Sequence, residues 1–238
     1  MAKLPRAPRS RPVLAPDPAL GEVALLAPGT ELVRVYYAAG PHPGGWRLFR
    51  AFGPTDARFD HQEAPPTISP TRAILYAATD FTTAIAEAFG RTRVIDVAAG
   101  DPYLAILRTS RPIRLLDLRS DWPTRAGASQ ELGSGSHASA RNWSRAIYED
   151  LDAIEGIVWR SSMHHGGDVY ALYERAEKAF DPSPVTNLPL ATRGLTLPLA
   201  NAAGALRYGL VLGPGRPAWM SASGFAPAPG RRVHRRRP

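Results

Sequence analysis

The stretch ILYAATDFTTAIAEAFG, Ile74 to Gly90, decides the fold, because it sets a short apolar strand directly against the start of a helix. Residues 73–78 are small or apolar throughout, the pattern of a strand buried on both faces. Thr79 or Asp80 then suits the helix N-cap, since either side-chain oxygen accepts a hydrogen bond from a free backbone N–H of the first turn. Gly90 suits the C-terminal end. At 100° per residue, Phe81, Ala84, Ile85, Ala88 and Phe89 share one apolar face. Glu87 falls just beyond the Ala84 edge, and the expectation is a carboxylate at the border of the core. Such a group costs free energy unless it is paired, and its pKa is open to tuning for chemistry.

Outward from this unit, TELVRVYYA (30–38) carries the β-branched and aromatic residues of a strand, with Arg34 inside it. RTRVIDV, YLAILRTS and IRLLDL (113–118) read as further strands. Residues 125–140 read as a small-residue loop leading into a helix over 140–151, with Trp143, Ile147 and Leu151 at helical spacing as core residues. EGIVWRSS (155–162) reads as a strand after a turn, and DVYALYER (168–175) as another strand or a short helix. The expected class is therefore α+β, with mixed or antiparallel sheets and flanking helices. Residues 1–28, rich in Pro and Ala, read as a flexible basic arm. Residues 29–185 read as one domain, and 186–238 as a C-terminal extension holding a hairpin or an appended strand pair and ending in a basic tail.

The composition narrows the function classes. Hydrophobic residues make up 44 % of 238, enough for a real core, and the absence of Cys excludes disulfides, Cys-ligated zinc and a cysteine nucleophile. No apolar run reaches the length of a membrane span, and MAKLPRAPRSRP is not followed by the apolar segment of a signal peptide, so the expectation is a soluble cytoplasmic protein without a membrane partner. The net charge of +8 resides in the ends: residues 1–12 and 231–238 hold nine of the 29 basic residues and no acid, leaving 20 against 21 acids in the body. Nucleic acid is thus expected to bind at most weakly and salt-sensitively, through the tails. Adjacent His164 and His165 would point to opposite faces of a strand, which argues against joint chelation, and no metal is expected. GSGSHAS (133–139) lacks the third glycine of a dinucleotide fingerprint.

Several weak signals occur in a telling order: Arg34 in a strand, the Arg58-Phe59 turn, Tyr76-Ala77-Ala78 before the helix bearing Glu87, a Trp-bearing helix, then Gly156-Ile157-Val158-Trp159-Arg160-Ser161. This ordered set, from about Thr30 to Tyr173, resembles the RES-domain family, named for its Arg, Glu and Ser. The resemblance implies a compact fold related to ADP-ribosyltransferases, consumption of NAD⁺, and the toxin half of a bacterial toxin–antitoxin pair, with a separate antitoxin as partner. It also implies the site residues: Arg34, Glu87 and Ser161 as catalytic, and Arg34, Arg58, Tyr76, Glu87 and Ser161 as NAD⁺-binding. Val35 departs from relatives that carry Tyr there, and the segment between Glu87 and Ser161 is longer than in small members. Ser162 replaces Ser161 if the strand register differs by one.

Cleavage of the nicotinamide–ribose bond builds positive charge on the ribose carbon and leaves a fragment with two phosphates. Arg34 and Arg58 suit the phosphates through their planar forks, Tyr76 suits the nicotinamide ring, and Glu87 suits the ribose and its developing charge. The acceptor remains open among water, inorganic phosphate and a protein side chain. The alternatives are an ADP-ribosyltransferase acting on a protein and a non-enzymatic nucleic-acid-binding protein using its basic tails.

Overall fold

In the computed structural model, which describes Ala7 and residues 12–213, the Ile74–Gly90 stretch forms strand β5 and helix α1 as expected. The strands are β1 Val23–Leu26, β2 Glu31–Tyr37, β3 Phe52–Gly53, β4 Thr67–Ile68, β5 Ile74–Ala78, β6 Val94–Asp96, β7 Pro102–Arg108, β8 Ile113–Asp117, β9 Gly156–Arg160, β10 Asp168–Tyr173, β11 Thr186–Pro189 and β12 Gly209–Val211. The helices are α1 Phe81–Phe89, α2 Trp122–Arg125, α3 His137–Asp150 and α4 Thr196–Leu206. Eight strands form one sheet in the order β1-β8-β9-β10-β5-β2-β7-β11, antiparallel except for the parallel β8–β9 pair. The architecture is α+β. Among the described residues no helix is long and apolar enough to cross a membrane.

Strand alternation divides the core. Along β10, Val169, Ala171 and Tyr173 join one cluster with Trp122, Trp143, Ile147 and Trp159, while Tyr170 and Leu172 join another with Leu32, Leu107 and Leu115. A third cluster lies under α1 and α4, around Val33, Ala78, Ile85, Phe89 and Leu199. Ile74 in the first cluster and Ala78 in the third have the same parity on β5, so α1 and α3 cover the same face of the sheet, side by side. Helix α3 buries Ala140, Trp143, Ser144 and Ile147, the spacing of a single stripe. Burial of Ile147 alone contributes roughly 1.5–3 kcal/mol.

Strands β2 and β5 matter most for the site. They share a single register pair, Val33↔Ala78. Beyond it they part, because Ile74 at the other end of β5 bridges to Arg50 in the loop after β2. The result is a gap in the sheet flanked by Arg34 and Tyr76.

Several expectations need correction. Val23–Leu26, expected within a flexible arm, is an edge strand paired with β8, because Glu22 and the strand after it find partners: Glu22 is fully buried and ion-paired with Arg125. Where a hairpin or an appended strand pair was expected, the described residues after 185 form β11, then α4 and β12, with β11 pairing β7 and β12 parallel to β6. Leu199, Ala202 and Ala203 of α4 supply a buried stripe against α1, and Pro198 falls in the first turn, where its missing N–H costs nothing. DVYALYER is a strand through Tyr173, followed by a 3₁₀ turn. Gly90 does cap the C-terminal end of α1, with a right-handed backbone; a Cβ there would meet the Ala86 carbonyl and Met163 at 2.7 Å. The basic residues of both tails lie outside the described residues.

Candidate active site

Between α1 and α3, over the gap where β2 leaves β5, lies a cavity of about 470 Å³, within the usual range for small-ligand sites. Its floor is Val33, Val35, Tyr76, Ala78, Trp159 and Val169, and its walls include Ala84, Glu87, Ala88, Arg34, Arg58, Arg91, His137 and Ser162. Arg34, Arg58, Tyr76 and Glu87, drawn from sequence positions 34 to 87, thus converge on one space. Ser161 reaches it through Glu87.

Glu87 was expected at the core border, but it is exposed. Its neighbours Thr83, Ala84, Ile85, Ala86 and Phe89 take the burial, and the carboxylate looks into the cavity from α1. The helix holding it is capped by Asp80, whose Oδ1 accepts from Thr83 N at 2.9 Å. Ser161 Oγ donates to Glu87 Oε1 at 2.6 Å and accepts from the backbone N–H groups of Met163 (3.1 Å) and His164 (3.0 Å). The Ser161 proton is therefore committed to Glu87 and its oxygen to the loop, so Ser161 orients the carboxylate. Ser162, one residue on, lines the cavity itself.

Arg34 is electrostatically unusual. Its side chain is only 8 % exposed, yet among the described residues no carboxylate stands within ion-pair distance. One nitrogen donates to the Leu48 carbonyl at 3.1 Å, and the guanidinium carbon lies 5.8 Å from the Tyr36 ring centroid. Burial pushes its pKa down to about 10, and the nearby Arg50 cation adds to that direction. A buried cation without a counter-ion is expensive. Arg58 stands across the cavity, held by a 2.6 Å bond from Nη1 to the Gly135 carbonyl. Burial lowers its pKa, and the facing Glu87 carboxylate counters. The turn carrying Arg58 is anchored by Phe59, fully buried and packed edge-on against Trp159, and by Ser144 Oγ donating to the Phe59 carbonyl at 2.7 Å.

Tyr76 is fixed from below. Its hydroxyl donates at 2.7 Å to Asp60, a fully buried carboxylate that also accepts from Thr55 N and Thr55 Oγ1, both at 2.6 Å, and pairs with Arg50. Burial, and then the Asp60 charge, raise the Tyr76 pKa well above its ordinary value, so the ring stays neutral. Sequence reasoning assigned no role to Asp60, although it directly follows the Arg58-Phe59 turn; nothing in a linear pattern distinguishes a buried acid from a solvated one. Arg91 and His137 were also missed. Arg91, just after the helix carrying Glu87, was legible as a cation at that helix end. His137 Nδ1 lies 2.6 Å from the Asp56 carbonyl. His164 Nδ1 contacts Thr83 Oγ1 at 2.8 Å, and among the described residues no group of three His, Asp or Glu side chains is arranged to hold a metal ion.

A family model described as the RES domain matches residues 31–198, most of the chain. The chain belongs to the RES-domain family. The match takes in the parting strands β2 and β5, α1 and the Ser161 loop, so every wall of the cavity lies inside the RES domain. Among solved structures, the crystal structure of the M. tuberculosis MbcT–MbcA toxin–antitoxin complex is similar, with a TM-score of 0.46 and 14 % identity over 69 % of this chain and 85 % of that one. No curated protein matches the chain.

Proposed function

We propose that this RES domain consumes NAD⁺ by breaking the bond between nicotinamide and ribose, with Arg34, Arg58, Tyr76 and Glu87 in contact with the dinucleotide and Ser161 as a positioning residue. The observation that carries the reading is the buried Arg34 guanidinium, with no carboxylate partner among the described residues, in the wall of the same cavity that holds the Glu87 carboxylate. Three arginines and one glutamate give the cavity a net positive wall, which suits a diphosphate. Membership of the RES family supports the same reading.

In this mechanism the C1′–N bond breaks and its electron pair returns to the nicotinamide nitrogen, discharging the pyridinium. The ribose carbon becomes cationic and is captured by an oxygen of phosphate or water, which loses a proton to the medium. Glu87, held by Ser161, stabilises the cation and the ribose hydroxyls. Tyr76, fixed by Asp60, frames the departing ring. Arg34 and Arg58 hold the diphosphate so that the sugar stays under Glu87. Phosphate or water is favoured as acceptor over a protein side chain, and a separate antitoxin that covers the cavity would restrain the enzyme in the cell.

The test is NAD⁺ loss by purified protein, with and without inorganic phosphate. Glu87→Ala should abolish it. Ser161→Ala should lower kcat by about 10- to 100-fold with little change in KM, because it removes orientation rather than binding. Wild-type rates in folded Glu87→Ala would refute the mechanism.

A further inference from the structure

A second cavity, of about 440 Å³, lies on the other side of the β2–β5 gap, and Arg34, Val35 and Tyr76 belong to the walls of both. These three residues flank the gap itself and, as walls common to both, set the two spaces next to one another. The second cavity is built from the end of β2 and the loop after it: Tyr36, His42, Leu48, Phe49, Arg50 and Phe52. It has a charged inner end and an aromatic outer end. At the inner end the Arg50 cation, itself paired with Asp60, bears on Arg34, and among the described residues no carboxylate stands within ion-pair distance of Arg34. At the outer end His42 and Phe52 stack with centroids 3.8 Å apart and planes 15° from parallel. Beside them Leu48 (54 % exposed) and Ile68 (69 % exposed) present apolar surface to the same hollow.

We propose that the second cavity binds the adenosine diphosphate half of the dinucleotide, with the diphosphate in the gap against Arg34 and the purine extending the His42–Phe52 stack. This rests on the reading of the first cavity as the nicotinamide–ribose site, since it locates the rest of the same substrate. The physical case is the order of chemistries along the cleft. Glu87 and Tyr76 meet the reacting sugar and ring, an unpaired guanidinium follows where two phosphates would lie, and a stacked aromatic pair follows where a base would lie. Each feature is costly or unused without its ligand: a buried cation without an anion and exposed aliphatic side chains grouped beside an aromatic stack. Base stacking on aromatic side chains is strong and tolerant of geometry.

The experiment is calorimetric titration of the full-length protein with ADP and with inorganic pyrophosphate, using wild type, His42→Ala and Phe52→Ala. His42 is exposed, so its replacement does not threaten folding. Wild type should bind ADP more tightly than pyrophosphate, and each variant should weaken ADP by about 5- to 100-fold while leaving pyrophosphate unchanged. The KM for NAD⁺ should rise in parallel. The proposal is overturned if wild type binds ADP no better than pyrophosphate, or if both variants bind ADP as tightly as wild type. The two readings fail separately. His42-dependent ADP binding without NAD⁺ loss keeps this proposal and removes the cleavage reaction, whereas Glu87-dependent NAD⁺ loss with ADP binding indifferent to His42 and Phe52 does the reverse.

Discussion

Replacing Arg34 by Met should stabilise the empty protein while abolishing its affinity for the substrate. The reasoning starts from the burial of the guanidinium and the pKa of about 10 that burial produces. Against an ordinary arginine value of roughly 12.5, this lowering corresponds to about 3 kcal/mol against the charged form at neutral pH. Met occupies much of the same stem volume without the charge, so that cost disappears. The bond to the Leu48 carbonyl is lost, at about 1 kcal/mol, and imperfect packing takes a little more. The net expectation is a gain of about 1–2 kcal/mol, or a Tm higher by roughly 2–8 °C for a chain of this size. Thermal unfolding at pH 7.5, with and without millimolar NAD⁺, reads both halves. Wild type should gain Tm with ligand through mass action and Arg34→Met should not. Arg34→Lys, which keeps the charge and loses the fork, should bind weakly without the stability gain. A lower Tm for Arg34→Met, together with an undiminished NAD⁺ shift, would show that Arg34 serves the fold and not a ligand.

Two further expectations concern the scaffold. His61 is fully buried, lies tilted against Tyr148 and edge-on to Tyr173, and stands 3.7 Å from Glu174, too far for a hydrogen bond, with Arg72 and Asp60 also acting on it. Burial lowers its pKa, so the unfolded chain takes up the proton first and stability is lost as pH falls below about 6.5. Urea unfolding between pH 7.5 and 5 should show a shallower loss for His61→Phe than for wild type, and equal slopes would remove His61 as the cause. Gly167→Ala should cost about 1–3 kcal/mol in the same assay, because a Cβ there would stand 2.0 Å from Oγ1 of the fully buried Thr83. It should also slow catalysis, since the Gly167 carbonyl accepts from Ser161 N at 2.9 Å and so holds the loop that orients Glu87; an unchanged rate would separate the loop from the chemistry.

Much of this was open to linear reading because local physics governed it. The strand and helix of Ile74–Phe89 follow from an apolar run, a capping Asp80 and helical spacing, none of which needs a distant partner. Likewise Trp143, Ile147 and Leu151 are buried as their spacing required. The ordered set of Arg34, Arg58, Tyr76, Glu87 and Ser161 was visible as a resemblance, but not the space they share. That depends on β2 and β5 meeting at one register pair and then parting, a choice made by the Arg50–Ile74 bridge. Glu87 appeared destined for the core border because a helical wheel counts neighbours on one helix. Its exposure arises from the hollow between α1 and α3, which no wheel contains.

Val23–Leu26 and the segment after residue 185 followed tertiary demands in the same way. An edge of β8 needed a partner for its backbone, and α1 needed cover for its apolar face, so weakly patterned sequence was drawn into β1 and α4. The sequence by itself determined the class of the fold, the capped helix and the residue types fit for the chemistry, since these rest on interactions between near neighbours. Only the tertiary structure decided that Arg34 is buried with no carboxylate partner among the described residues, that Ser161 donates a hydrogen bond to Glu87, and that Arg34 and Tyr76 line two cavities at once. Burial, pairing and cavities are properties of what packs beside a residue, and the chain does not state those neighbours in order.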